Sequence, residues 1–68
     1  MPLNNHLKEY RMRHGISQEM LGRMSHTSRQ TVSKIECGSQ TPSVVLALHM
    51  ARVFQCSVAN LFEFTSDE

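Results

Sequence analysis

An all-α bundle of five short helices is the fold that the sequence predicts, on three observations. Apolar residues recur at helical spacing, residues suited to capping helix N-termini stand in front of those stretches, and Gly or Pro punctuates the intervals between them. At 68 residues and 40% hydrophobic content, the chain is expected to form a single domain, 1–68, with a core of limited size. Association with a second copy would add to its stability.

The first helix is expected after Asn4 and Asn5, both good N-cap residues. Leu7, Tyr10 and Met12 supply its apolar positions and Gly15 ends it. Ser17 caps a second helix running to about Met24, with Met20 rather than a Glu at the third position after the cap. Ser25, His26 and Thr27 form a polar break, and Ser28 caps a third helix that runs to Glu36. Two short helices separated by only three or four residues make a helix-turn-helix. Gly22 fits this reading, because helices that cross steeply approach closely only where one side chain is Gly or Ala.

The run Cys37-Gly38-Ser39-Gln40-Thr41-Pro42-Ser43 reads as a loop, with Ser43 or Thr41 available as the next cap. Val44 to Phe54 is then a fourth helix, apolar over most of its circumference and so expected to be the buried centre of the bundle. Ser57 caps a last short helix containing Val58, Leu61 and Phe62. Phe62-Glu63-Phe64 alternates like a strand, and residues 65–68 are expected to fray.

The net charge of +1 conceals an asymmetry. Up to Gln40 six basic residues stand against three acidic ones, whereas beyond it Arg52 stands against Glu63, Asp67 and Glu68. One half therefore suits a polyanion and the other suits packing or association. Cys37 and Cys56 form neither a disulfide framework nor a metal-type pair, so a reducing cytoplasmic setting is expected. No signal peptide is legible at the start, and no apolar run approaches the roughly 20 residues needed to span a bilayer, so no membrane association is expected.

The third helix carries the chemistry. At roughly 100° per residue, Ser28, Thr31, Val32 and Ile35 gather on one side, and Arg29, Gln30, Ser33 and Lys34 occupy an arc of about 140° opposite. Arg donates in bidentate fashion to guanine O6 and N7, and Gln pairs with adenine N6 and N7. Ser33 and Lys34 have the reach for phosphates or further base edges.

The stretches Ile16-Ser17-Gln18-Glu19-Met20-Leu21-Gly22 and Ser28-Arg29-Gln30-Thr31-Val32-Ser33-Lys34-Ile35-Glu36 resemble the Cro/repressor-like (Xre) helix-turn-helix family. The likeness continues through Gly38, Thr41-Pro42-Ser43, Ser57-Val58 and Leu61-Phe62, nearly the whole chain. The resemblance implies a compact five-helix bundle that reads the major groove of double-stranded DNA with helix 28–36. It implies that Gln18 touches the DNA backbone and steadies Gln30, and that Arg29, Gln30, Ser33 and Lys34 contact bases and backbone. Ser28, Thr31 and Gln40 complete the expected DNA-contacting set. It further implies a structural salt bridge between Arg11 and Glu36. His26 and Gln55 depart from the pattern. His26 stands where the family usually has Gly in the turn, and Ser25 and Thr27 replace residues that are commonly apolar, which is expected to weaken the end of the second helix.

Leu61, Phe62 and Phe64 exceed what a helix end needs for its own burial, which suggests a subunit contact. In the stand-alone regulators that the chain resembles, the chain ends pair as a short ribbon, here through Leu3 and Phe64, and two subunits associate through the C-terminal half. Such a homodimer fits a pseudo-palindromic operator. His6, His14, His26 and His49 show no i, i+4 spacing that would make a metal site on one helix, so solvated or capping roles are expected. Cys37 is expected to be an inert thiol, Cys56 a small core residue, and the methionines fillers.

The sequence thus predicts a transcriptional regulator, more specifically a repressor that occludes a promoter, with no cofactor, metal or small-molecule ligand. The alternative is an antitoxin-type interaction protein whose DNA contact is autoregulatory. No enzyme is expected, since paired carboxylates, a nucleophile motif and a phosphate-binding Gly-rich loop are all missing from the sequence.

Overall fold

The computed structural model describes residues 3–64. In chain order they form β1 (Leu3–Asn5), α1 (Leu7–Arg13), α2 (Gln18–Met24), α3 (Arg29–Glu36), α4 (Val44–Val53), α5 (Val58–Leu61) and β2 (Phe62–Phe64). Serine opens four of the five helices. Ser17, Ser28, Ser43 and Ser57 each have an extended backbone, and each side-chain oxygen accepts from the N–H three residues on, at Met20, Thr31, Leu46 and Asn60. Each such cap contributes about 1 kcal/mol. At α5 the Asn60 side chain also accepts from the Ser57 N–H, which completes a capping box.

The ends of α1 to α4 share one closing geometry. The residue after each C-cap is left-handed: Gly15 at φ 67°, His26 at 63°, Gly38 at 86° and Gln55 at 54°. The following N–H reaches back to a carbonyl of the last turn, as Thr27 does to Gly22 at 2.7 Å and Cys56 to Ala51 at 3.0 Å. This is the Schellman arrangement. Glycine adopts it freely, whereas His26 and Gln55 carry a steric cost of about 1–2 kcal/mol each.

Gly22 lies where the backbone before α3 crosses α2. A Cβ there would stand 3.0 Å from the Ser28 carbonyl carbon and 3.1 Å from the Ser28 and Thr27 oxygens, so even Ala is tight. The helix-turn-helix is thus packed backbone to side-chain-free backbone, and this contact sets how closely α3 sits on α2.

The core draws on every helix: Leu7 from α1, Leu21 from α2, Val32 and Ile35 from α3, Met50 and Ala51 from α4, and Leu61 from α5, with Phe54 and Phe62 closing it. β1 pairs antiparallel with β2, with Leu3 opposite Phe64, Asn4 opposite Glu63 and Asn5 opposite Phe62. The expected ribbon between the chain ends therefore forms.

Two expectations need correction. Asn4 and Asn5 belong to β1, and His6 holds the N-cap position of α1 without a side-chain bond to the helix. Asn5 still serves the helix start, because its Oδ1 accepts from the Leu7 N–H at 3.3 Å. Secondly, α4 is not buried all round: Val44, Val45 and Leu48 are 76%, 64% and 56% exposed. The face bearing Ala47, Met50 and Ala51 meets the core, and among the described residues no element covers the opposite side. Leu61 and Phe62, at 0% and 8% exposure, close the monomer's own core, and Phe62 also lines an apolar groove beside α4. The subunit contact expected of the Phe64 side chain and the fraying expected of 65–68 lie outside the described residues.

Candidate nucleic-acid interface

α3 is amphipathic in the sense that a groove reader requires. Val32 and Ile35 are buried against the core, which fixes the roll of the helix about its axis. Arg29, Gln30 and Lys34 then stand exposed on the opposite side, and Ser33 lies half-buried between the faces. Among the described residues, no carboxylate pairs with Arg29 or Lys34. A guanidinium, a carboxamide and an ammonium therefore project together from one short, capped helix.

Ser28 and Thr31 are partly committed to the helix itself. The Ser28 oxygen accepts from the Thr31 N–H at 3.1 Å, and the two hydroxyls lie 3.0 Å apart. Gln40 is exposed in the loop beyond α3. That loop is tied to the end of α3 through the Lys34 carbonyl, which accepts from the Ser39 N–H at 2.9 Å and from the Ser39 hydroxyl at 3.2 Å.

A polar cluster behind α3 joins three helices. Arg11 of α1 donates from Nε to Glu36 Oε2 at 2.7 Å and from Nη2 to Glu36 Oε1 at 3.3 Å, while its Nη1 donates to the Ile16 carbonyl at 3.0 Å. Gln18, at the start of α2, donates from Nε2 to Glu36 Oε1 at 3.0 Å. A carboxylate at a helix C-terminus opposes the helix dipole. With three charge-assisted bonds, two of them from a planar bidentate fork, Glu36 is nonetheless well satisfied there. Gln18 thus contacts Glu36, not Gln30, in the free protein.

Asn5 contributes a contact that no sequence signal announces. Its Nδ2 donates to the Ile35 carbonyl at 3.1 Å, so the first strand adds a second donor to a carbonyl that already accepts from the Gly38 N–H at 3.1 Å. Cys37 caps the same helix end. Hydrogen bonds from Ser39 draw its exposed thiol below the ordinary cysteine value. Cys56 behaves in the opposite way, as burial raises its thiol pKa.

A family model described as helix-turn-helix matches residues 7–61, which span all five helices of this arrangement. The chain belongs to the helix-turn-helix family of Cro/C1 type. It is 42% identical over 60 residues to an uncharacterized HTH-type transcriptional regulator of Bacillus subtilis, covering 88% of this chain and 91% of that one. It is 34% identical over 62 residues to the competence pilus inhibition repressor of Acinetobacter baylyi, covering 91% of this chain and 56% of that longer protein. Among solved structures, the restriction-modification controller protein C.AhdI of Aeromonas hydrophila superposes with a TM-score of 0.77 at 34% identity, covering 82% of this chain and 85% of that one. The family consists of DNA-binding transcriptional regulators rather than enzymes. Among the described residues, no helix is long and apolar enough to cross a membrane.

Proposed function

We propose that this helix-turn-helix protein is a homodimeric repressor that reads a pseudo-palindromic operator by placing α3 in the major groove of each half-site. The exposed Arg29–Gln30–Lys34 ridge, held rigid by the buried Val32 and Ile35, carries this reading. Arg29 and Gln30 supply base contacts of the bidentate type, Lys34 and Ser33 contact phosphates or neighbouring bases, and Ser28, Thr31 and Gln40 contribute at the margins. Gln18 acts mainly as a positioning residue through Glu36, with its carboxamide oxygen left to meet the DNA backbone. The similarity to a named repressor supports repression over activation.

The subunit contact is assigned to the outer face of α4. Val44 and Leu48, together with Thr41, Pro42, Val58 and Phe62, line an apolar groove of about 200 Å³, and Val45 extends the patch along the helix. A second copy is the fitting occupant, since two-fold pairing would carry both α3 helices to one side of the DNA at roughly the 34–36 Å spacing of successive major grooves.

Selection of bound sequences from a random duplex pool tests the proposal. The expected result is a two-fold symmetric consensus, with affinity falling steeply as salt rises. Arg29→Ala and Gln30→Ala each relax one position per half-site at a cost of about 1–3 kcal/mol, while Lys34→Ala weakens binding evenly and lowers the salt slope by about 1. Variants at Arg29 and Gln30 that select the same consensus as the parent would refute the assignment of α3.

A further inference from the structure

We infer that His26 and His49 form a two-point chelate for a late first-row divalent cation, of the Ni2+ or Zn2+ type, in the cleft between the turn before α3 and α4. The two residues are distant in sequence, yet their ring centres lie 4.9 Å apart with the planes at 67°. With metal–nitrogen bonds of about 2.0–2.1 Å, two imidazoles sharing one ion at tetrahedral or octahedral angles stand about 4.5–5.2 Å apart, centre to centre. The observed spacing falls inside that window.

The surroundings favour a cation. The rings line a cleft of about 390 Å³ whose other walls are Ser25, Thr27, Ser43, Val45 and Leu46, without a Lys or Arg. Ser25, 1% exposed, borders the same cleft, and its buried side-chain oxygen has no hydrogen-bond partner.

Among the described residues, no third His, Cys, Asp or Glu joins the pair. Water therefore fills the remaining positions, which suits ions that accept imidazole and open sites rather than a closed structural zinc. His6 provides a contrast. Its Nδ1 meets Glu9 and its Nε2 meets Glu63, so the two carboxylates lie on opposite ring nitrogens and do not converge on one ion.

The test uses the full untagged chain, stripped with chelator and titrated with NiCl2 or ZnCl2 by calorimetry and by thermal unfolding. It is independent of DNA binding. One ion per chain is expected, with a midpoint raised by several degrees. His49→Gln and His26→Gly should each weaken binding at least tenfold. His26→Gly is expected to fold at least as well as the parent, so loss of binding there is not loss of structure. His6→Gln and Cys37→Ser should leave binding unchanged. Absence of binding by either ion, binding that survives both His26→Gly and His49→Gln, or binding abolished by His6→Gln or Cys37→Ser would overturn the inference.

Discussion

Replacing Arg11 by Met tests whether the cluster behind α3 holds the bundle together. The side chains of Arg11 and Glu36 are 13% and 6% exposed, so the substitution leaves a largely desolvated carboxylate with only the Gln18 Nε2 bond. Breaking a buried pair from one side costs about 3–5 kcal/mol. The retained charge-assisted bond from Gln18 places the expected loss near the lower end, at roughly 3 kcal/mol. For a domain of this size each kcal/mol moves the midpoint by about 4–8 °C, so a fall of about 12–24 °C is expected. Thermal unfolding at one fixed protein concentration reads it, since association would make the midpoint concentration-dependent. The double variant Arg11→Met/Glu36→Met removes both charges and should recover about 2 kcal/mol or more relative to the sum of the single changes. If Arg11→Met costs less than about 1 kcal/mol, or the two changes simply add, the cluster is not the tie between α1 and α3 described above.

Gly22→Ala should destabilise the domain by about 1–3 kcal/mol in urea unfolding, because the added methyl meets the backbone of Thr27 and Ser28, which has little room to yield. An unchanged midpoint would mean that the approach of α3 to α2 is slack. His6 is held above its ordinary value of 6.5 by its hydrogen bonds to Glu63 and Glu9. The contribution of the protonated ring to closing the ribbon is therefore full below about pH 6.5 and disappears as the pH rises through the higher folded value. The difference in midpoint between pH 6 and pH 8 should shrink in His6→Gln; an equal difference in both proteins would remove His6 from the account. Leu48→Lys, on the outer face of α4, should shift sedimentation toward the monomer while the circular dichroism of the fold is retained. Persistence of the parent's association state would place the contact elsewhere.

Most of the local structure was legible along the chain. The serine caps at Ser17, Ser28, Ser43 and Ser57 act over three residues, and the left-handed stops at Gly15, His26, Gly38 and Gln55 close within the last turn, so short windows of sequence contain the partners. The two faces of α3 were equally readable, because helical periodicity separates Val32 and Ile35 from Arg29, Gln30 and Lys34 before any tertiary contact is known. Hydrophobic content alone was a poorer guide where it had to say which apolar surface is covered. It placed all of α4 inside, whereas Val44, Val45 and Leu48 are exposed.

Sequence by itself determined the helices, their caps, the turn and the polar ridge, since each depends on dihedral preferences and hydrogen bonds between residues a few positions apart. Resemblance to a family added the Arg11–Glu36 pairing, which no local rule contains. Tertiary structure alone decided that Asn5 reaches the end of α3, that Gln18 turns to Glu36, and that His26 meets His49. Those contacts join residues 18 to 30 positions apart. They exist because the helices pack at particular distances and rolls, quantities that emerge only when the whole core is assembled.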